Sequence, residues 1–455
     1  MNYCQEPVGK PPVRECDVVV AGGGTGGAIA ALAAARNGAR TVLIEAKGYP
    51  GGIAVEGGTA LHSFYNLYTA FPGVEKRQLV KGIPQELIDR LLEIGGTCGH
   101  ASTLAGCGYD AVCTAIDTEL YKLVAFEMLI EAGVQVCVNT LLTGAIVRGS
   151  RLAVVTASSH AGGEAIYAET FVDCTGYGDL CCFAGAEYTE PNDHPVANSI
   201  GVGGVSVEKY RDFWRKYDAL TEYAEGPRGG NGKKAVRISG DARKLPEEMR
   251  RAIHEIDMHT VTTTVHDDYF MFIKLNYKMP VSPTDRDEAA LAELELRRRQ
   301  FKAIEFFRRY VPGCEKAFIT RTSPSLCIRR GRRIVCDYDI SNEEILGGAH
   351  FNDDVMAYGF HDCAPSMQVK NGGSYGLPYR ALLVKGLDNL FATGMMITSD
   401  WKAHMSTRNT VSCMGMGQAA GTAAALCALR KLGTRELPYA ELRAALLAGG
   451  VVLEN

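Results

Sequence analysis

Gly22, Gly24 and Gly27 stand at the spacing G-x-G-x-x-G, and Glu45 follows roughly 20 residues on. These residue types in this order suit dinucleotide binding. Gly22 permits a tight strand-to-helix turn, Gly24 lets a pyrophosphate approach the backbone, and Gly27 lets the helix press on a sheet. Thr25 and Gly26 sit where that helix opens, and its free N–H groups and partial positive charge attract phosphate. Glu45 is placed to accept hydrogen bonds from a ribose. An acid there disfavours a 2′-phosphate and so NADP, but it does not separate NAD from FAD, since both carry an ADP half.

Such residues need a strand, a helix and a second strand to hold them, and the chain supplies all three. Val18 to Ala21 is a short apolar strand, a small-residue helix follows with Ala31 on its packing face and Gly38 at its end, and Thr41 to Ile44 is a second apolar run stopping on Glu45. A second glycine cluster comes next in EAKGYPGGIAVEGG, where Ala46, Gly51, Gly52, Gly57 and Gly58 stand. Backbone this thin at two adjacent places suits a cofactor lying along the chain. Towards the C-terminus, Asn389 to Thr393 reads as a buried strand with Gly394 opening the turn beyond it. From about Ser412 a helix of small residues runs to Lys431 and Gly433, with Gly417, Gln418 and Ala419 expected to contact the cofactor. Its N-terminus would favour negative charge on whatever sits there.

With these blocks in order, the chain resembles the FAD-dependent oxidoreductase family built on the glutathione-reductase-like flavin fold, related to the fumarate reductase and succinate dehydrogenase flavoproteins. GGGTGGAIAALAAARNGARTVLIE is similar to the family's ADP-binding opening and YPGGIAVEGG to its second glycine motif. DCTGYGDLCCFAGA resembles its "DATGDGDLA" segment, with Thr175, Gly176 and Asp179 as cofactor contacts. LCIRRGRRIV resembles its Arg-rich turn, and residues 376–426 resemble its closing signature. The resemblance implies an α/β fold: a Rossmann-like FAD-binding domain of the ββα, glutathione-reductase-like type with an inserted α+β substrate or cap domain. It implies FAD as cofactor. The flavin domain is expected to be discontinuous, over 14–60, 105–190 and 376–445, with 190–375 as the cap and 61–104 as a possible contribution to it.

Composition agrees with a soluble enzyme of the cytoplasm. The net charge is −4, so no nucleic-acid or membrane electrostatics are suggested. The N-terminus has no apolar core of a signal peptide, and no apolar run reaches the roughly 18 residues of a membrane span. Fifteen cysteines include no CxxC, so neither a thioredoxin-like pair nor a zinc ribbon is indicated, and the disulfide-reductase motif is absent. Cys98, His100, Cys107 and Cys113 match no common metal spacing. No metal is expected.

For catalysis, His404 and Arg408 in KAHMSTR lie between the last strand and the small-residue helix, where the family signature also carries an His and an Arg. His404 either accepts a proton from the substrate or hydrogen-bonds cofactor or backbone. Arg408 can hold a carboxylate or alkoxide but stays protonated, so it is not a base. Arg329 and Arg333, in a knot with Arg330 and Arg332, form either an anion clamp or salt bridges to acids such as Asp337 and Asp339. The family's Arg-rich element falls on Arg329, Arg332 and Arg333, with Cys327 and Cys336 where glycine is commoner. His62, Tyr65, His361, Asp362 and Tyr375 are further substrate-side candidates. Residues 225–245 read as an exposed excursion, and a helix beginning at Thr284-Asp285 and ending at Tyr310 is expected to bury Leu291, Leu294, Phe301, Ile304 and Phe307. Two functions fit. One is a flavoenzyme acting on a small polar metabolite, hydroxylated, sugar-like or bearing an activated C=C bond. The other is a flavin-bearing binding or electron-transfer subunit working with a partner protein. No second GxGxxG with a following acid is present, so electrons would pass through substrate or a separate donor or acceptor.

Overall fold

The computed structural model describes residues 13–57, 77–102, 112–227, 234–363, 367–398 and 400–454. At its centre five parallel strands lie in the spatial order Leu390–Ala392, Thr170–Asp173, Val18–Ala21, Thr41–Ile44, Gln135–Cys137. All four residues of Val18–Ala21 and of Thr41–Ile44 are buried. That is why these strands read as unbroken apolar runs: parallel strands covered on both faces have no solvent side to alternate with. Helix Thr25–Arg36 links them, and its Ala and Gly side chains let a second helix, Thr410–Arg430, lie directly on it. A Cβ on Gly417 would stand 2.2 Å from the Gly26 carbonyl oxygen, and one on Gly421 2.1 Å from that of Ala30. The two helices therefore touch backbone to backbone.

An antiparallel meander, Leu141–Arg148, Arg151–Ser159 and Gly162–Tyr167, forms a separate sheet, completed by Val13–Glu15 pairing parallel to its last strand. A second apolar core runs from Val196 to Ile328. There Val196–Gly203 is the middle strand of three, flanked antiparallel by Tyr269–Tyr277 and Phe318–Thr322. Ile340, Val355, Tyr358, Val369 and Tyr375 pack instead in the first core. Much of 340–375, expected in the cap, thus returns to the flavin-side core well before position 376.

Helix Arg286–Tyr310 covers the second core, and Asp285 caps it by accepting from the N–H groups of Asp287 and Glu288. Its buried residues are Ala292, Leu296, Gln300, Ala303, Ile304, Phe306 and Phe307, so Ile304 and Phe307 hold their expected places and the rest of the expected stripe is corrected. Leu291, Leu294 and Phe301 are 57%, 49% and 67% exposed. The small side chains of Ala292 and Ala303 admit close approach to the sheet, and Gln300 Nε2 donates to Asn198 Oδ1 at 2.9 Å. Residues 225–245 are also not a plain excursion: strands Leu220–Pro227 and Lys234–Gly240 pair antiparallel, with a buried Arg237–Glu222 ion pair between them. Among the described residues no helix is long and apolar enough to cross a membrane.

Candidate active site

A cavity of about 330 Å³ opens beyond the C-terminal ends of the parallel strands, where the strand order reverses. At one end it is lined by Gly22, Gly24, Thr25, Gly26, Glu45 and Ala46. Helix Thr25–Arg36 has Gly24 as its N-cap and so no capping side chain, which leaves its first-turn N–H groups for a ligand. Gly51 donates its N–H to the Gly23 carbonyl at 2.9 Å, and Thr25 Oγ1 donates to the Gly51 carbonyl at 3.1 Å. These bonds clasp the second glycine cluster against the first, with Gly52 on the cavity wall. Glu45 Oε2 accepts from Gly23 N–H at 2.6 Å and Oε1 from Lys47 N–H at 2.8 Å. Burial pushes this carboxyl up from its ordinary range, and the two N–H bonds oppose that push. Fixed this way, the acid keeps lone pairs for ribose hydroxyls. In front of Gly24 nothing lies nearer than 4.0 Å to where a Cβ would stand. An uncapped helix end, open backbone and a fixed acid fit the ADP half of FAD.

At the other end Asp173, fully buried, accepts from Thr175 N–H at 2.9 Å, Thr175 Oγ1 at 2.8 Å and Cys181 N–H at 2.8 Å. It thereby sets the turn that brings Thr175, Gly176 and Asp179 to the cavity wall. Opposite them lie Gly394, Thr410, Cys413 and Arg408. The small-residue helix begins at Thr410, with Asn409 as an N-cap that makes no side-chain cap bond. Its open end therefore faces the cavity, and Gly417, Gln418 and Ala419 lie about two turns further in. Those three assignments are corrected. Gly417 packs on Gly26, while Gln418 accepts from Ile83 N–H at 3.0 Å and donates to the Gly449 carbonyl at 2.8 Å, away from the cavity. Gly57 is likewise off the wall: its missing side chain makes room for Cys327, whose Sγ would be 1.7 Å from a Cβ there. Gly27 sits under the sheet as a packing residue. Gly58, His62, Tyr65 and Cys107 lie outside the described residues.

Among the described residues considered for catalysis, only Arg408 reaches the cavity wall. Its Nη2 pairs with Asp362, and its Nε is buried with no bond among the described residues. His404, one helical turn before it, is wholly buried, and its Nε2 bonds the Arg329 carbonyl at 3.0 Å. A carbonyl partner puts the proton on Nε2 and leaves Nδ1 bare. Burial, then Arg330 and Arg408, hold this ring neutral, well below an ordinary histidine. The Arg knot splits. Arg330 is bound to Asp193 and to the Thr398 carbonyl, and Arg332 to Asp179. Arg333 pairs with Asp339 at 2.6 Å, the salt-bridge alternative, because its strand turns it away from the cavity. Of the four, only the Arg329 guanidinium makes no hydrogen bond or ion pair among the described residues, although the Arg329 carbonyl takes the His404 bond. His361 Nε2 bonds the Lys402 carbonyl at 2.8 Å and Tyr375 bonds Ser406 at 2.8 Å, so both are structural.

Sequence reasoning missed Lys274, His194 and His259. Lys274 feels the charges of Arg329, Arg408 and Asp362, and it was signalled by standing alone as a cation within the strand YFMFIKLNY. His194 lies beside His404 with the rings tilted and their centroids 5.1 Å apart. Burial holds His194 down at about 4 and His259 at about 3. A histidine lowered on folding contributes stability that is full above its unfolded value, near 6.5, and is lost as pH falls towards its folded value. Each should therefore withdraw about 1.4 kcal/mol per pH unit below pH 6.5. Thermal melts should fall steadily from pH 7 to pH 5, before carboxylates titrate; a flat profile would contradict the buried neutral rings.

The model of the FAD dependent oxidoreductase family matches residues 17–446. No curated protein matches the chain. Similar solved structures include a geranylgeranyl bacteriochlorophyll reductase-like protein from Thermoplasma acidophilum, 13% identical with a TM-score of 0.47 over 96% of this chain and 87% of that one. A flavoprotein/dehydrogenase from Cytophaga hutchinsonii is 12% identical with a TM-score of 0.45 over 95% and 82%. The p-nitrophenol 4-monooxygenase PnpA from Pseudomonas putida DLL-E4 is 12% identical with a TM-score of 0.43 over 96% and 89%. The family match takes in the glycine cradle, Glu45, the Asp173 turn and the open end of the small-residue helix, and on it this chain belongs to the FAD dependent oxidoreductase family, with FAD as its cofactor.

Proposed function

We propose that the protein transfers a hydride between FAD and a small polar metabolite, either a hydroxylated compound or one with an activated C=C bond. The observation that carries this reading is that Arg408 lines the same cavity as Gly22, Glu45 and Thr175. A fixed cation thus stands in the space that the dinucleotide cradle opens into. Bound FAD supplies the two-electron chemistry. Arg408 supplies charge: held by Asp362 through one nitrogen, it offers the rest of its fork to a substrate oxygen. His404 is a positioning residue, since its bond to the Arg329 carbonyl orders the segment that carries Arg329. Electrons leave or enter through the substrate or a separate donor or acceptor protein.

The test is the visible spectrum of the purified protein before and after denaturation and filtration, followed by anaerobic addition of candidate metabolites. A two-banded flavin spectrum that passes the filter, then bleaches with one class of hydroxylated compound or returns from the reduced state with an activated alkene, is the expected result. A colourless protein that takes up no added FAD would overturn the reading.

A further inference from the structure

Lys274 and Arg329 have no counter-ion among the described residues, and burial, then neighbouring positive charge, pushes both below their ordinary values, Lys274 well below and Arg329 to about 10. Neither side chain makes a hydrogen bond or ion pair among the described residues, and Lys274 feels the charges of Arg329 and Arg408 while Arg329 feels that of Arg408. Nearby acids do not balance them. Asp362 is already paired with Arg408. Asp193 is taken by Arg330 and Glu56 by Lys47, and Asp257, whose charge reaches Arg329, is exposed to solvent. The histidines around them, His194, His259 and His404, are neutral.

Strand register places Lys274 independently of any charge argument. Lys274 is directly opposite Ser199 in an antiparallel pair, so the two side chains share one face of the cap sheet. Ser199 Oγ donates to the Gly57 carbonyl at 2.9 Å, and Ser323 Oγ, beside it, donates to the Glu56 carbonyl at 2.6 Å. That face of the cap therefore meets the second glycine cluster. Arg329 comes from the flavin side of the same junction, following Ile328 on the cavity wall and fixed through His404. Two further donors converge there: Arg408 Nε and the Tyr358 hydroxyl are buried and unbonded among the described residues, and Tyr358 feels both Asp362 and Arg408.

Partly buried basic side chains with no acid beside them, and unbonded donors next to them, are completed by an anion, which would hold Lys274 in its charged form and balance Arg329. We propose that Lys274 and Arg329, together with Arg408, bind an oxyanion group of the substrate, a carboxylate or a phosphate, so that the metabolite is a small acid held between cap and flavin domain. This rests on the hydride-transfer reading above and narrows its substrate class. Lys274 and Arg329 are substrate-binding residues here; the proton and hydride steps are not assigned to them.

Titration of the FAD-loaded protein with malonate, inorganic phosphate and the neutral isostere malonamide tests the proposal through changes in the flavin absorption spectrum. Malonate or phosphate should give a saturable shift and malonamide none. Whichever anion binds identifies the group as carboxylate or phosphate. Lys274→Met and Arg329→Met should each raise the dissociation constant at least about tenfold, which is the loss of one charge-assisted contact. If Lys274→Met does not fold, Lys274→Arg should fold and bind within a few-fold of wild type. Equal shifts with malonamide, no binding of either anion, or unchanged affinity in both Met variants would overturn the subsite. A yellow protein that binds no anion loses only this proposal. A colourless protein that binds malonate by calorimetry, with weaker binding after Lys274→Met, loses the flavin reading and keeps the subsite.

Discussion

Gly27→Ala should give a chain that neither retains FAD nor melts at the wild-type temperature. The added Cβ would stand 1.8 Å from the Gly22 carbonyl oxygen and 2.9 Å from Cys174 Cβ. Adding a methyl group to a packed interior costs roughly 1–3 kcal/mol where neighbours can shift. Here the neighbour is backbone, and it is held: Gly22 donates its N–H to the Ile44 carbonyl at 2.8 Å, and its strand is paired on both sides. Helix Thr25–Arg36 cannot retreat instead. A Cβ on Gly417 already marks its far side at 2.2 Å from Gly26, so the helix is wedged between sheet and neighbouring helix. Relief has to come from moving the first turn of that helix, which is the phosphate cradle. Flavin per chain and the melting temperature should fall together. Gly163→Ala is the control, since its nearest atom would be 3.8 Å away. A Gly27→Ala protein with full flavin and a melt within about 2 °C of wild type would show that the wedge does not exist.

The cradle was legible because its signals are local. An apolar run, a glycine spacing and a terminal acid are each written within a few residues, and burial on both faces makes Val18–Ala21 unambiguous. The small-residue helix was legible as a helix but not as a surface. Seventeen of its residues are buried, so no polar stripe separates the open end near Thr410, which meets the cavity, from Gly417, Gln418 and Ala419, which do not. The Arg286–Tyr310 helix failed in the opposite way. Apolar residues occupy more than one of its faces, and the face that packs carries Ala292, Gln300 and Ala303 rather than Leu291 and Phe301. Lys274 was visible as an odd residue in an apolar strand, but its partners Arg329 and Arg408 come from distant segments that only the fold brings together.

Arg408→Ala should leave FAD bound and suppress its reduction by substrate about 10²- to 10³-fold, the usual loss when one fixed charge at the reacting centre is removed. FAD should stay because the groups fitted to its ADP half, the open helix end at Gly24, the Thr25–Gly51 clasp and Glu45, make no bond to Arg408. The rate should fall because Arg408 is a cation on the cavity wall beside Thr410 and Cys413, and alanine can offer a substrate oxygen nothing in its place. The measurement is anaerobic stopped-flow bleaching by the metabolite found in the spectral screen, with dithionite as a reductant that needs no binding site. Both proteins should respond alike to dithionite and differ with the metabolite. Arg408→Lys keeps the charge but loses the fork that Asp362 and a substrate oxygen share, so it should recover only part of the rate. Asp362→Asn separates position from charge: the arginine remains but its anchor is weakened, and substrate affinity should suffer more than the rate at saturation. If Arg408→Ala bleaches at the wild-type rate, the cation is a wall residue of the fold and the substrate is held elsewhere.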